Sequence, residues 1–198
     1  MAWPNDLITH FARFAVRSTT EKYNLYGPHL YLLLTIFPAD EHYTVGPICN
    51  KHLPESTDNP FYYYVTSMPR RPVVPLLFME FETSQALDDE ATRAQADEQM
   101  RKIHLKILEK RFPITDALPP KLAGISVMGT RFAVCEYSPA DRAFPHPLIT
   151  SPDFENLADT ESPSRERRHY DILEEAGEAK IKQIADELKE MAQNIALE

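Results

Sequence analysis

A chain of 198 residues is long enough for one domain with a sizeable core, and its 43% hydrophobic and 26% charged residues are ordinary globular usage, which excludes wholesale disorder. Two cysteines, neither in a C-X-X-C pair, exclude a disulfide framework and point to a reducing compartment. The net charge of −9 excludes a surface that is a nucleic-acid platform all over, because duplex binding sets Lys and Arg against phosphates; it leaves room for a local basic groove.

The opening MAWPNDLITHFARF lacks the basic and long apolar regions of a secretory signal, and the most apolar run, residues 30–37, is too short to span a bilayer. The expectation is an intracellular protein, cytoplasmic or nuclear, with no membrane partner. Residues 6–18 carry Leu7, Ile8, Phe11, Phe14 and Ala15 at helical spacing, and a second apolar block, 23–37, is interrupted by Gly27-Pro28; both read as helices. After Pro38 the pattern becomes short and extended. Residues 43–48, then 61–68 with FYYYVT, then 73–82 as VVPLLFMEFE read as three successive strands, with Pro75 near the start of the third or at a bulge.

Residues 87–112 form the longest helix candidate, acidic at its start and basic at its end, as the macrodipole favours, and stopped by Pro113. Ala96, Met100, Ile103 and Ile107 make one stripe, expected to pack on a sheet; Gln95, Gln99, Lys102, Lys106 and Lys110 make another. Residues 121–128 and 130–137, joined tightly at Gly129, predict a hairpin. Residues 144–168, rich in Pro, Ser, Asp and Glu, read as a surface excursion, and 170–196 as a last helix in which Gly177, costing about 1 kcal/mol against Ala, marks a point of division. One domain results: N-terminal helices over 1–38, sheet core and long helix over 39–143, the excursion over 144–169 and the C-terminal helix over 170–198. The fold class is α/β (α+β), with a mixed central sheet of about four to six strands flanked by helices.

Asp58 just before one strand, and Glu80 and Glu82 closing the next, can meet in space. Glu80 and Glu82, two apart, share one face of their strand. Carboxylates in contact repel by about 4 kcal/mol per pair at an effective dielectric of about 20, so the group calls for a cation or for proton uptake. Hard oxygen donors suit Mg²⁺ or Mn²⁺. Taken alone, the same residues also suit the polar face of a half-exposed strand, with Asp58 starting a turn in ESTDNP.

The stretches STDNPFYYYVT, PLLFMEFE, TRAQADEQMRK, LAGISVMGTRFAVCEY and DILEEAGEAKIKQIADELKEM occur in that order over nearly the whole chain. Together they resemble a group of uncharacterised fungal proteins related to PD-(D/E)XK nucleases. The resemblance implies a restriction-endonuclease-like αβββαβ core with an additional C-terminal helix and with the acidic residues at one edge of the sheet. It implies a catalytic set of Asp58, Glu80, Glu82 and Gln99, with Asp58, Glu80 and Glu82 holding the metal. Arg93, Asp97 and Arg101 match it on the long helix, and Arg93, Lys102 and Lys106 are candidate nucleic-acid contacts. Glu82 stands where the family has a lysine, which removes a donor and changes the local formal charge by two units.

Other chemistries lack parts. There is no G-X-S-X-G elbow, no G-X-G-X-X-G or Walker loop and no H-E-X-X-H, and Cys49 with His52 is half a zinc site without the other half. Trp3 and the tyrosines at 62, 63 and 64 read as packing rather than base-stacking residues. The pairs and clusters Arg70-Arg71 and Arg165, Arg167 and Arg168 read as exposed loops. Three functions remain open: metal-dependent hydrolysis of DNA or RNA, a nuclease fold that has lost turnover and serves nucleic-acid or protein interaction, and a scaffold. The candidate partners are therefore DNA or RNA, a second copy of the chain, or another protein.

Overall fold

The computed structural model of the chain describes residues 2–15, 22–48, 62–67, 73–108, 119–137 and 168–195. Its helices are α1 (Asn5–Ala15), α2 (Tyr26–Ile36), α3 (Glu90–Leu108) and α4 (Glu175–Ile195). Its strands are β1 (Tyr43–Ile48), β2 (Tyr62–Ser67), β3 (Val74–Glu82), β4 (Leu122–Met128), β5 (Arg131–Tyr137) and β6 (Tyr170–Asp171). The six strands form one sheet in sequence order. All neighbours are antiparallel except β3 and β4, which run parallel and are joined through α3. A parallel pair needs such a crossover, and a helix is the usual way to supply it. The chain is thus α+β with a mixed sheet, as the sequence predicts. No helix among the described residues is long and apolar enough to cross a membrane.

The helices take opposite sides of the sheet. Leu7 and Phe11 of α1, Leu32, Leu33 and Ile36 of α2, and Ile181, Ile184, Ala185 and Leu188 of α4 share one core with Leu77, Met79 and Phe81 of β3 and Ala123, Ile125 and Val127 of β4. Trp3 closes one end of it, donating its indole N–H to the Ile172 carbonyl at 2.8 Å, so it is a packing residue. On the other side α3 lays Met100 and His104 against Phe78 and the Cβ-less surface of Gly124. The predicted sheet-facing stripe is buried at Ala96, Met100 and Ile103; the side chain of Ile107 lies outside the described residues.

Local chemistry sets the boundaries. Pro28 falls in the first turn of α2, where a helix has N–H groups without partners in any case, so Gly27-Pro28 begins the helix rather than interrupting an apolar block. Pro75 faces Thr66 where the β2–β3 register shifts, which fits a residue with no N–H to give the ladder. The long helix starts at Glu90, not at 87, because the Asp89 carboxylate caps the Thr92 N–H at 3.2 Å. Gly129 turns β4 into β5 at φ +67, a conformation that glycine adopts without strain.

Two expectations about the C-terminal region are corrected. Tyr170 and Asp171 are a strand on the edge of β5, and the helix begins only at Glu175, because the Ile172 N–H bonds to Thr130 O at 2.9 Å and holds this stretch on the sheet. Gly177 does not divide α4, which is continuous to Ile195. It lies in the helix's first turn against the backbone of β6, where a Cβ would stand 1.8 Å from the Asp171 carbonyl oxygen.

Candidate functional site

β3 is buried along all nine residues, yet its last turn of the pleat carries two carboxylates. Glu80 is 1% exposed and Glu82 6%. Side chains alternate along a strand, so Phe78, Glu80 and Glu82 share the face that α3 covers, while Leu77, Met79 and Phe81 enter the apolar core. The ladder gives their backbone neighbours. Register sets Tyr62 of β2 and Ser126 of β4 on either side of Glu80, and Met128 beside Glu82. The end of the strand is fixed by a 2.9 Å bond from the Gly129 N–H to the Glu82 carbonyl.

α3 brings its own polar groups to this layer. Asp97 accepts a 2.7 Å bond from Nη2 of Arg168, and the same nitrogen donates to the Ser126 hydroxyl at 3.0 Å. The Arg168 side chain has no exposed surface and Asp97 keeps 17%. The sequence reading of this arginine as part of an exposed loop is therefore wrong: the chain turns inward just before β6. Arg93 is buried as well and donates to the Leu87 carbonyl at 2.6 Å, tying the helix to the short turn before it. Gln99 is half-buried and Lys102 exposed; Lys102 and Arg101 both pair with Glu98 on the helix surface.

The third predicted ligand, Asp58, lies outside the described residues, as do Cys49, His52, Arg70, Arg71, Arg165, Arg167 and the side chain of Lys106. The first described residue after Asp58 is Tyr62, the partner of Glu80. Among the described residues no group of three His, Cys, Asp or Glu is placed to hold a metal ion. Glu80 and Glu82 are hard oxygen donors of the kind a divalent cation takes, and burial would strengthen each such contact.

The sequence reading did not place three residues near this layer. Arg168 sits in the polar run SRERRH, where nothing periodic marks one arginine as buried. Tyr26 lies in an apolar block, yet its phenol is pushed well up by burial and by the charges of Tyr63 and Glu82, which makes it a neutral hydroxyl close to the acidic end of β3. Ser126 belongs to the quoted LAGISVMGT stretch, but only the parallel register shows it beside Glu80. Compared with protein-family models, with curated proteins and with solved structures, the chain matches none.

Proposed function

We propose that this chain is a PD-(D/E)XK nuclease-like protein whose Asp58, Glu80 and Glu82 bind Mg²⁺ or Mn²⁺ and act on a phosphodiester of DNA or RNA. The observation that carries this reading is topological. Three antiparallel strands, a helix and a parallel fourth strand follow one another in the αβββαβ order. Both glutamates stand at the end of the third strand, on the face the helix covers. Within the reading, Gln99 approaches from the helix, and Lys102 and Lys106 offer charge to a phosphate backbone. A divalent cation would lower the pKa of the attacking water and offset charge on the phosphoryl oxygens.

A second reading keeps the fold and gives up turnover, leaving a module that binds nucleic acid or a protein partner. Two facts favour it: a carboxylate occupies the lysine position at 82, and Glu80 and Glu82 are almost wholly buried.

One substitution separates the two. If Glu-X-Glu works as a metal site, the wild type cleaves nucleic acid in Mn²⁺, millimolar Mn²⁺ raises its melting temperature, and Glu82→Lys weakens both. If the lysine has been lost along with turnover, the wild type is inert and Glu82→Lys gains cleavage by returning a donor beside the phosphorus. A melting curve unmoved by Mn²⁺ in the wild type and in Glu80→Ala, with no cleavage by wild type or Glu82→Lys, would sink the enzyme reading.

A further inference from the structure

A guanidinium has five N–H donors and a charge that it does not give up. Arg168 is fully buried, and only its Nη2 is engaged, by Asp97 and Ser126; Nε and Nη1 have no hydrogen-bond partner among the described residues. A one-to-one pair with Asp97 thus leaves most of its donors unmet. In register and on the same face, the residue beside Ser126 is Glu80, one strand spacing away, about 4.8 Å. The guanidinium is hydrogen-bonded to the strand neighbour of Glu80, and in a desolvated layer opposite charges attract far more strongly than they would in water.

We propose that Arg168 is a built-in cation of the acidic face, neutralising Glu80 together with Asp97, so that a divalent ion must compete with it for Glu80. The second half of this rests on the metal reading above; the first half does not. Position 82 adds a negative charge to this face, and Arg168, arriving from the far end of the chain, returns a positive one. The carboxylates can then be buried with no metal present, and metal affinity is set by how readily the guanidinium yields.

The test is a double-mutant cycle in chelator, read by urea denaturation of the full chain. Arg168→Gln takes the buried cation away from Asp97 and Glu80 and lowers the midpoint. Glu80→Gln lowers it in the wild type, where it removes negative charge that offsets Arg168, and raises it in Arg168→Gln, where it removes negative charge from a face that has lost its cation. The coupling expected is about tenfold in the folded-to-unfolded ratio. Additive effects, or a Glu80→Gln that stabilises both backgrounds equally, would overturn the proposal.

Mn²⁺ titration followed by calorimetry reads the competition. Arg168→Gln binds about tenfold more tightly, an effect opposite to that of losing a merely structural arginine. Should Arg168→Gln not fold, Asp97→Asn serves instead: it leaves the guanidinium to Glu80 alone and weakens Mn²⁺ binding, and unchanged binding there overturns the proposal. A coupled cycle with no Mn²⁺ binding by any variant would uphold Arg168 as the counter-cation and defeat the metal reading.

Discussion

Consecutive residues of β3 enter two different interiors. Leu77, Met79 and Phe81 join an apolar layer built with α1, α2 and α4. Glu80 and Glu82 enter the layer beneath α3, where Arg168 is hydrogen-bonded to Asp97 and Ser126. Both layers are largely shielded from solvent, but for opposite reasons. In the first, removal of apolar surface from water is itself the driving force. In the second, burial costs several kcal/mol for each charge and is tolerated only because opposite charges and hydrogen bonds are in place. One layer holds the fold together; the other keeps charged groups at a defined place on it.

The most direct way to break this comparison is to empty each layer in turn. Phe81 stacks on His29, with ring centroids 5.1 Å apart, and meets Tyr26 edge-on at 5.0 Å. Phe81→Ala should cost about 3–5 kcal/mol in chemical denaturation. Ser126→Ala removes one acceptor from Arg168 and should cost about 1–2 kcal/mol. A Phe81→Ala variant less destabilised than Ser126→Ala would mean that the polar layer carries the stability and that the division of labour is wrong.

Each layer also contains one buried histidine, so acid probes both. His29 lies against Phe81 on the apolar side, and His104 against Phe78 on the α3 side with ring centroids 4.5 Å apart. Burial pulls each imidazole down to about 4, against the partial support of backbone carbonyls. Between the ordinary value of about 6.5 and about 4 the unfolded chain takes up protons that the folded chain refuses, so stability is full above that window and falls as pH drops through it. The loss should reach up to about 3 kcal/mol per histidine. Asp6 and Asp89, held below the usual carboxylate range chiefly by hydrogen bonds from Tyr31 and Thr92, lose their contribution only at lower pH. His29→Phe and His104→Phe should each flatten the slope between pH 6.5 and 4 by about half. An equal slope in wild type and both variants would assign the acid sensitivity to other groups.

Short-range patterns were legible in both layers. Alternation in LLFMEFE, the Gly129 turn and the Ala96, Met100, Ile103 stripe are short-range patterns, and the strands and α3 follow from them within a few residues. Glu80 and Glu82 could be assigned to a common face for the same reason. What holds them there could not. Arg168 meets Asp97 across 71 residues and Ser126 across 42, and no local pattern encodes a contact at such separation. The two residues of β6 are too few to show a period, so Tyr170, Ile172 and Leu173 read as the start of α4 until their pairing with β5 is seen. Tyr26 was hidden by belonging to an apolar run that helix packing accounts for in full.

The finest test sets a rim ion network against the buried pair. Lys121 bridges Glu136 at 2.9 Å and Glu187 at 2.8 Å, joining the start of β4 to the end of β5 and to α4. Burial alone would lower its ammonium, but the bonds to Glu187 and Glu136 hold it above the ordinary lysine value. All three side chains keep roughly a third or more of their surface in water, so screening takes most of the Coulomb gain. Lys121→Met should therefore cost no more than about 1 kcal/mol, with the cost fading in molar salt. Arg168→Gln should cost more, and its cost should persist in the same salt, because the side chain it replaces has no exposed surface and counter-ions cannot take its place beside Asp97. Equal salt dependence at the two sites would show that solvent reaches the layer beneath α3 as freely as it reaches the rim, and the separate treatment of the two faces of β3 would then have no electrostatic basis.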